Sequence, residues 1–242
     1  MKTGGMSLSS GVAKNFAVDE VYPHRELDLG DFTEGNVRFR AVTIEYLLRL
    51  SAERRDRIRY YGGHFPYVTC ELLGGDFCTL TILRDPVDRT VSLLRQLQRH
   101  AESIRNGDPQ SAEPASFEEI YEQPQVYEPL VHNHQTKIFS MTSADNPRGY
   151  MQPVVIDDQR LALAKRNLEA VDVVGLTERH GEFIDQLTLR FGWQLNRDRR
   201  VNVTPSDSPA LAESFRRRIE ADNAIDMEFY EFAKELVDAR EA

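Results

Sequence analysis

The chain has 242 residues, 40% of them hydrophobic and 29% charged, which suits one well-buried α/β domain rather than a disordered or fibrous chain. Thirty Lys and Arg against 39 Asp and Glu leave a net charge of −9, which disfavours nucleic acid or a polyanionic surface as partner and requires any anion site to be made positive locally. No apolar run nears the ~20 residues a membrane span needs and no apolar signal region opens the chain, so a cytoplasmic location without a membrane span is expected, with Cys70 and Cys78 as reduced packing thiols.

The N-terminus reads Met1-Lys2-Thr3-Gly4-Gly5-Met6-Ser7-Leu8. Glycines feeding a helix expose successive backbone N–H groups with little Cβ obstruction, the arrangement that surrounds a tetrahedral oxyanion. Lys2 adds a point charge and Ser7 a hydroxyl donor. From Ser7 to about Val18 a short helix is predicted, softened by Gly11, and residues 22–35 are polar and turn-rich. Ile44, Leu47, Leu48 and Leu50 give Thr43 to Asp56 one apolar helical face. Arg57 to Tyr61 reads as a strand ending at Gly62-Gly63, directly before His64.

The run from Phe77 to Leu83 is apolar and β-branched enough to be a strand buried on both faces of a parallel sheet. It ends in Leu83-Arg84-Asp85-Pro86, where the proline suits a helix first turn and Asp85 suits its cap. Arg84 thus stands at the C-terminal end of a buried strand, where α/β sheets place ligands, and its guanidinium offers a bidentate fork. The helix that follows is expected to reach about Ile104. Arg89 and Ser92 share a face of it, with Arg89 either at the anion or paired to Asp85 or Asp88. Residues 106–116 are rich in Pro, Ser, Ala and acid, and are expected to be a mobile surface stretch.

Beyond them, Tyr127 to Ser140 is predicted helical, Val154 to Ile156 a strand, Asp158 to Glu169 a helix, Val171 to Leu176 a buried strand, and Glu178 to Phe191 a helix. Trp193 is expected to close the core after Gly192, and the last forty residues read as two helices. Strands alternating with helices argue for a three-layer α/β/α fold around a central parallel sheet, in a single domain over residues 1–242.

Taken in order, Lys2-Thr3-Gly4-Gly5-Met6-Ser7-Leu8, Gly63-His64-Phe65-Pro66-Tyr67 and Leu83-Arg84-Asp85-Pro86-x-x-Arg89-x-x-Ser92 resemble the sulfotransferase family that includes heparan sulfate 2-O-sulfotransferases and bacterial relatives. So do Asn133-x-Gln135-Thr136-Lys137, Val174-Gly175-Leu176-Thr177-Glu178-Arg179 and Asn223-x-x-Asp226-x-x-x-Tyr230. The resemblance implies a P-loop-like fold and sulfonate transfer from 3′-phosphoadenosine 5′-phosphosulfate (PAPS) to an acceptor hydroxyl, with saccharides leading the acceptors and 3′-phosphoadenosine 5′-phosphate as product. By the same resemblance Lys2, Thr3, Gly4, Gly5, Met6 and Ser7 hold the 5′-phosphosulfate, with Lys2 stabilising the departing charge. Arg84 and Ser92 are implied as ligands of the 3′-phosphate and His64 as general base, with His132 and His134 as rival bases. Lys137 stands where many members carry arginine. The resemblance also makes residues 106–116, in a region that often borders the acceptor site in the family, a candidate lid, with a tolerated surface loop as the other reading.

The family's buried strand before the loop has no residues here, because Met1 stands in the place of the proline that usually precedes the lysine. Either the chain is internal to a longer natural one, or its core lacks a strand and leaves neighbouring edges open. Two other readings compete. A P-loop kinase or NTPase is opposed by the missing Gly-x-x-x-x-Gly-Lys-Ser/Thr spacing; a catalytically impaired nucleotide-binding scaffold remains open.

Overall fold

A computed structural model describes residues 5–24, 28, 44–105, 116–145, 151–197 and 211–241. Helix α1 (Gly5–Val12) leads into a 3₁₀ turn and then strand β1 (Val21–Tyr22). Helices α2 (Ile44–Leu48) and α3 (Ala52–Arg57) precede β2 (Tyr60–Tyr61), and α4 (Thr69–Leu73) precedes β3 (Leu80–Leu83). The long α5 (Pro86–Arg105), α6 (Phe117–Tyr121), α7 (His134–Ser140) and α8 (Asp158–Glu169) separate β3 from β4 (Val173–Leu176). Helices α9 (His180–Phe191), α10 (Glu213–Asp222) and α11 (Ala224–Glu241) complete the described chain.

Every described strand pair is parallel. Leu80 pairs with Val173 and Leu83 with Leu176, while Val21 pairs with Tyr60 and Tyr22 with Tyr61. Parallel neighbours need long crossovers, and the helical segment between β3 and β4 supplies one. The fold is therefore mixed α/β, as expected, but the described strands form two separate pairs rather than one continuous central sheet.

The β3–β4 pair is the organising element, because its alternating side chains enter two different cores. Ile82 and Val173 pack with Leu8 and Val12 of α1 and with Phe183, Ile184 and Leu187 of α9. Leu83, Val174 and Leu176 instead meet Phe139 of α7, Leu161, Ala164 and Leu168 of α8, and Phe229, Tyr230 and Ala233 of α11. This period-2 division is the reason those residues read as a strand buried on both sides. Gly175 permits the first packing: a Cβ there would lie 2.4 Å from the Phe183 ring.

Several elements depart from the sequence reading for identifiable reasons. The helix expected over Thr43 to Asp56 divides where Ser51 caps α3, its Oγ accepting the Arg54 N–H at 3.1 Å. The helix expected over Tyr127 to Ser140 breaks into a π-helical turn (Tyr127–Val131) and α7, because Asn133 adopts φ +44° and spends its polar groups on α11 and the residue before it. Val154 to Ile156 is not a strand: Ile156 is buried and Val155 is 84% exposed, but no ladder partner lies alongside among the described residues. Both cysteines are free thiols, but only Cys70 is half-buried; Cys78 is exposed rather than packed. Trp193 stacks on Phe191 at 4.5 Å, just after Gly192 at φ +69°. Among the described residues no helix is long and apolar enough to cross a membrane. The predicted lid lies, apart from Ser116, outside the described residues; Ser116 caps α6 in a capping box with Glu119.

Candidate active site

The turn Leu83-Arg84-Asp85 leaves β3 where the β3–β4 register ends, so its backbone polar groups have no ladder partners left. Side chains take over. The Thr177 hydroxyl donates to the Leu83 carbonyl at 3.0 Å. Gln135 holds both sides of Arg84: its Oε1 accepts the Arg84 N–H at 3.1 Å and its Nε2 donates to the Arg84 carbonyl at 2.8 Å. The Asp85 N–H donates to Glu178 at 3.3 Å, and Tyr230 donates to the same carboxylate at 2.5 Å. Asp85 then caps α5, accepting the Asp88 N–H at 3.0 Å. Arg84 is half-buried at this strand end, beside a helix N-terminus.

Beneath the turn lies a buried polar network. The fully buried Asp226 accepts from the Gln135 and Thr136 N–H groups at 3.0 and 2.7 Å and from the Thr136 hydroxyl at 2.7 Å. Its own N–H donates to Asn133 Oδ1 at 3.0 Å, and the Asn133 N–H donates to Asn223 Oδ1 at 2.9 Å. Arg89 belongs to this interior: it is fully buried, its Nη2 donates to the Leu130 and Val131 carbonyls, and burial lowers its pKa to about 10. Neither the anion contact nor the surface pair with Asp85 or Asp88 describes it. Lys137 donates to the Pro129 carbonyl at 2.6 Å, and burial, then the nearby Arg89, pulls its pKa down to about 7.

His64 lies half-buried three residues past β2. The two glycines before it matter: a Cβ on Gly62 would come within 2.5 Å of Ser9 Oγ on α1, so the bare backbone lets this turn close onto the N-terminal helix. Because α1 also packs on Ile82 of β3, one helix touches both the His64-bearing turn and the strand that delivers Arg84. Gly5, Met6 and Ser7 form the first turn of that helix; Lys2, Thr3 and Gly4 lie outside the described residues. Ser92 is half-buried, two turns into α5.

Of the rival histidines, His134 is a core group. It is 1% exposed, its Nδ1 contacts the Pro129 carbonyl at 2.9 Å, and burial holds its pKa well below the ordinary value, so no acceptor hydroxyl reaches it. His132 stacks on Tyr127 with ring centroids 5.4 Å apart. In the basic run before His64, Arg54 is structural: it pairs with the buried Asp28 at 2.7 Å and donates to the Val21 carbonyl. Arg57 pairs with Glu53 on the surface.

No protein-family model matches the chain. Curated relatives do. Heparan-sulfate 6-O-sulfotransferase 2 of Gallus gallus is 31% identical over 186 residues, 66% of this chain and 44% of that protein. The human enzyme of the same name is 29% identical over 184 residues, 66% and 29% of the two chains, and human heparan-sulfate 6-O-sulfotransferase 3 is 28% identical over 185 residues, 68% and 39%. The chain belongs to the sulfotransferase family. It spans less than half the length of these relatives, whose names specify 6-O transfer where the motif resemblance pointed to a family that includes 2-O enzymes.

Within this sulfotransferase chain, Gln135, Thr177, Glu178, Asp226 and Tyr230 were visible in the sequence only as motif positions. Their shared task, holding one turn, needed the fold, since they come from α7, the segment after β4, and α11.

Proposed function

We propose that this chain is a single sulfotransferase domain that moves a sulfonate from PAPS to a hydroxyl of a saccharide acceptor. The observation that carries the reading is the clamped Leu83–Asp85 turn, which fixes an arginine at a strand end beside a helix N-terminus, a donor set suited to a phosphate dianion. Arg84, with Ser92, would hold the 3′-phosphate, and the glycine-bearing start of α1 with Lys2, Thr3, Gly4, Gly5, Met6 and Ser7 would hold the 5′-phosphosulfate. A three-layer, P-loop-like arrangement around β3–β4 belongs to this reading, supported by helices packed against both sets of alternating residues on that pair.

PAPS, when bound, supplies a sulfonate on a good phosphate leaving group. The chain's residues do the rest. His64 takes the proton of the acceptor hydroxyl as its oxygen attacks sulfur in line, and Lys2 neutralises charge growing on the leaving phosphate oxygen. The Gln135 and Thr177 hydrogen bonds fix the turn that carries Arg84 before the nucleotide arrives, so its backbone does not have to reorganise during the step, which is the source of electrostatic catalysis in such sites.

Nucleotide protection in thermal melts tests the reading. 3′-Phosphoadenosine 5′-phosphate without Mg²⁺ is expected to raise Tm by several degrees, as binding of the folded state alone requires, while ATP with Mg²⁺ leaves it unchanged. The opposite ranking rejects the sulfotransferase reading in favour of a kinase or NTPase. Protection by the product nucleotide without transfer to any saccharide would leave a nucleotide-binding scaffold.

A further inference from the structure

Three side chains from two separate segments, Gln135 of α7 and Thr177 and Glu178 of the turn after β4, converge on three consecutive residues, and the residue at the centre is Arg84. Gln135 is the most telling. A carboxamide presents one donor and one acceptor edge in a plane, like a peptide, so Gln135 prolongs the β3 ladder by one residue beyond Leu83↔Leu176. It is 4% exposed, and its own backbone N–H is bound to Asp226, so the carboxamide is aimed by an anchored helix start rather than by a mobile loop. Thr177 fixes the carbonyl one residue earlier and Glu178, itself bonded by Tyr230, the N–H one residue later.

The geometry points to Gln135 and Thr177 as positioning residues for 3′-phosphate recognition: they touch no nucleotide and act through the Arg84 backbone. This rests on the proposed function and adds to it the determinant of selectivity for a 3′-phosphorylated nucleotide. Mere satisfaction of buried backbone groups would make the same two residues matter for stability alone. Positioning makes them matter for one phosphate of the ligand and not the other.

The experiment is isothermal titration of the chain with 3′-phosphoadenosine 5′-phosphate and with adenosine 5′-phosphosulfate, which lacks the 3′-phosphate, for the wild type, Gln135→Met, Thr177→Val, Arg84→Ala and Gln135→Met combined with Arg84→Ala. The two single positioning variants act on different backbone groups, so one remains informative if the other does not fold. Each is expected to weaken binding of the 3′-phosphorylated nucleotide about tenfold, the scale of one lost hydrogen bond to a charged partner's support. Affinity for adenosine 5′-phosphosulfate is expected to stay within about twofold, and Gln135→Met to add less than about twofold on the Arg84→Ala background, as coupled residues should. Unchanged affinity for the 3′-phosphorylated nucleotide in a folded variant, or equal losses for both nucleotides, overturns the positioning role. A wild type that does not distinguish the two nucleotides instead overturns the functional reading, and this inference with it.

Discussion

Lys137 gives the most quantitative test of the buried network. The residue is 1% exposed, its ammonium is bonded to the Pro129 carbonyl, and it shares the interior with the fully buried Arg89, with Asp226 and Glu128 as the nearby carboxylates. Burial first, then Arg89, lowers its pKa from the ordinary 10.5 to about 7. Between pH 7 and 10.5 the unfolded chain therefore binds a proton there that the folded chain has released, and stability must rise with pH across that window. Integrating the shift gives about 2 kcal/mol gained between pH 7 and pH 9. The window starts at 7 because His134, whose protonation is also opposed by burial, adds the same sign below its ordinary pKa. It stops at 9 because the Cys70 and Cys78 thiols, raised by burial, act in the opposite direction above that point. Urea unfolding at pH 7, 8 and 9 is expected to show this rise in the wild type and to lose most of it in Lys137→Met. The slope is the diagnostic, since the absolute stability of the variant also reflects the lost hydrogen bond. A wild type flat in pH, or a variant with the same slope, refutes the buried, readily neutralised lysine.

Two packing predictions follow from the same geometry. Gly175→Ala places a Cβ 2.4 Å from the Phe183 ring and is expected to cost about 1–3 kcal/mol in urea unfolding; a change under a few tenths would mean α9 does not press on β4 as described. Asp226→Ala leaves three donors unpaired and removes the carboxylate near two buried cations, so a loss of at least ~3 kcal/mol in thermal or urea unfolding is expected, and near-neutrality would contradict the network.

What the sequence made legible follows its periodicities. Asp158 to Glu169 forms a helix with the expected bounds, and the helix after Pro86 runs to Arg105, because apolar spacing, the Asp157 cap and the N1 proline agree with the tertiary packing. The strands at Leu80–Leu83 and Val173–Leu176 lie inside the predicted apolar runs. Asn133 is where local reasoning failed: nothing in the apolar pattern of Tyr127 to Ser140 announces that hydrogen bonds to Asn223 and Asp226, about ninety residues away, will bend the backbone into the left-handed region. Arg89 failed similarly, since a surface helix face and a buried one look alike until the π-helical turn, whose Leu130 and Val131 carbonyls accept from it, is folded against α5. β1 was unreadable because two residues carry no alternation, and its pairing with β2 rests on Tyr22 and Tyr61 meeting in a small aromatic core. Among site residues, His64 and Arg84 could be located from strand ends and glycines, whereas the clamp around Arg84 could only be seen once α7, β4 and α11 had been brought together.

The central claim is met most directly by following radiolabelled sulfonate from PAPS onto a desulfated heparan oligosaccharide with the wild type and His64→Ala. Metal-independent transfer that falls a hundredfold or more in the variant, while 3′-phosphoadenosine 5′-phosphate still binds with unchanged affinity, is the predicted result. Transfer at an undiminished rate by His64→Ala would contradict the account.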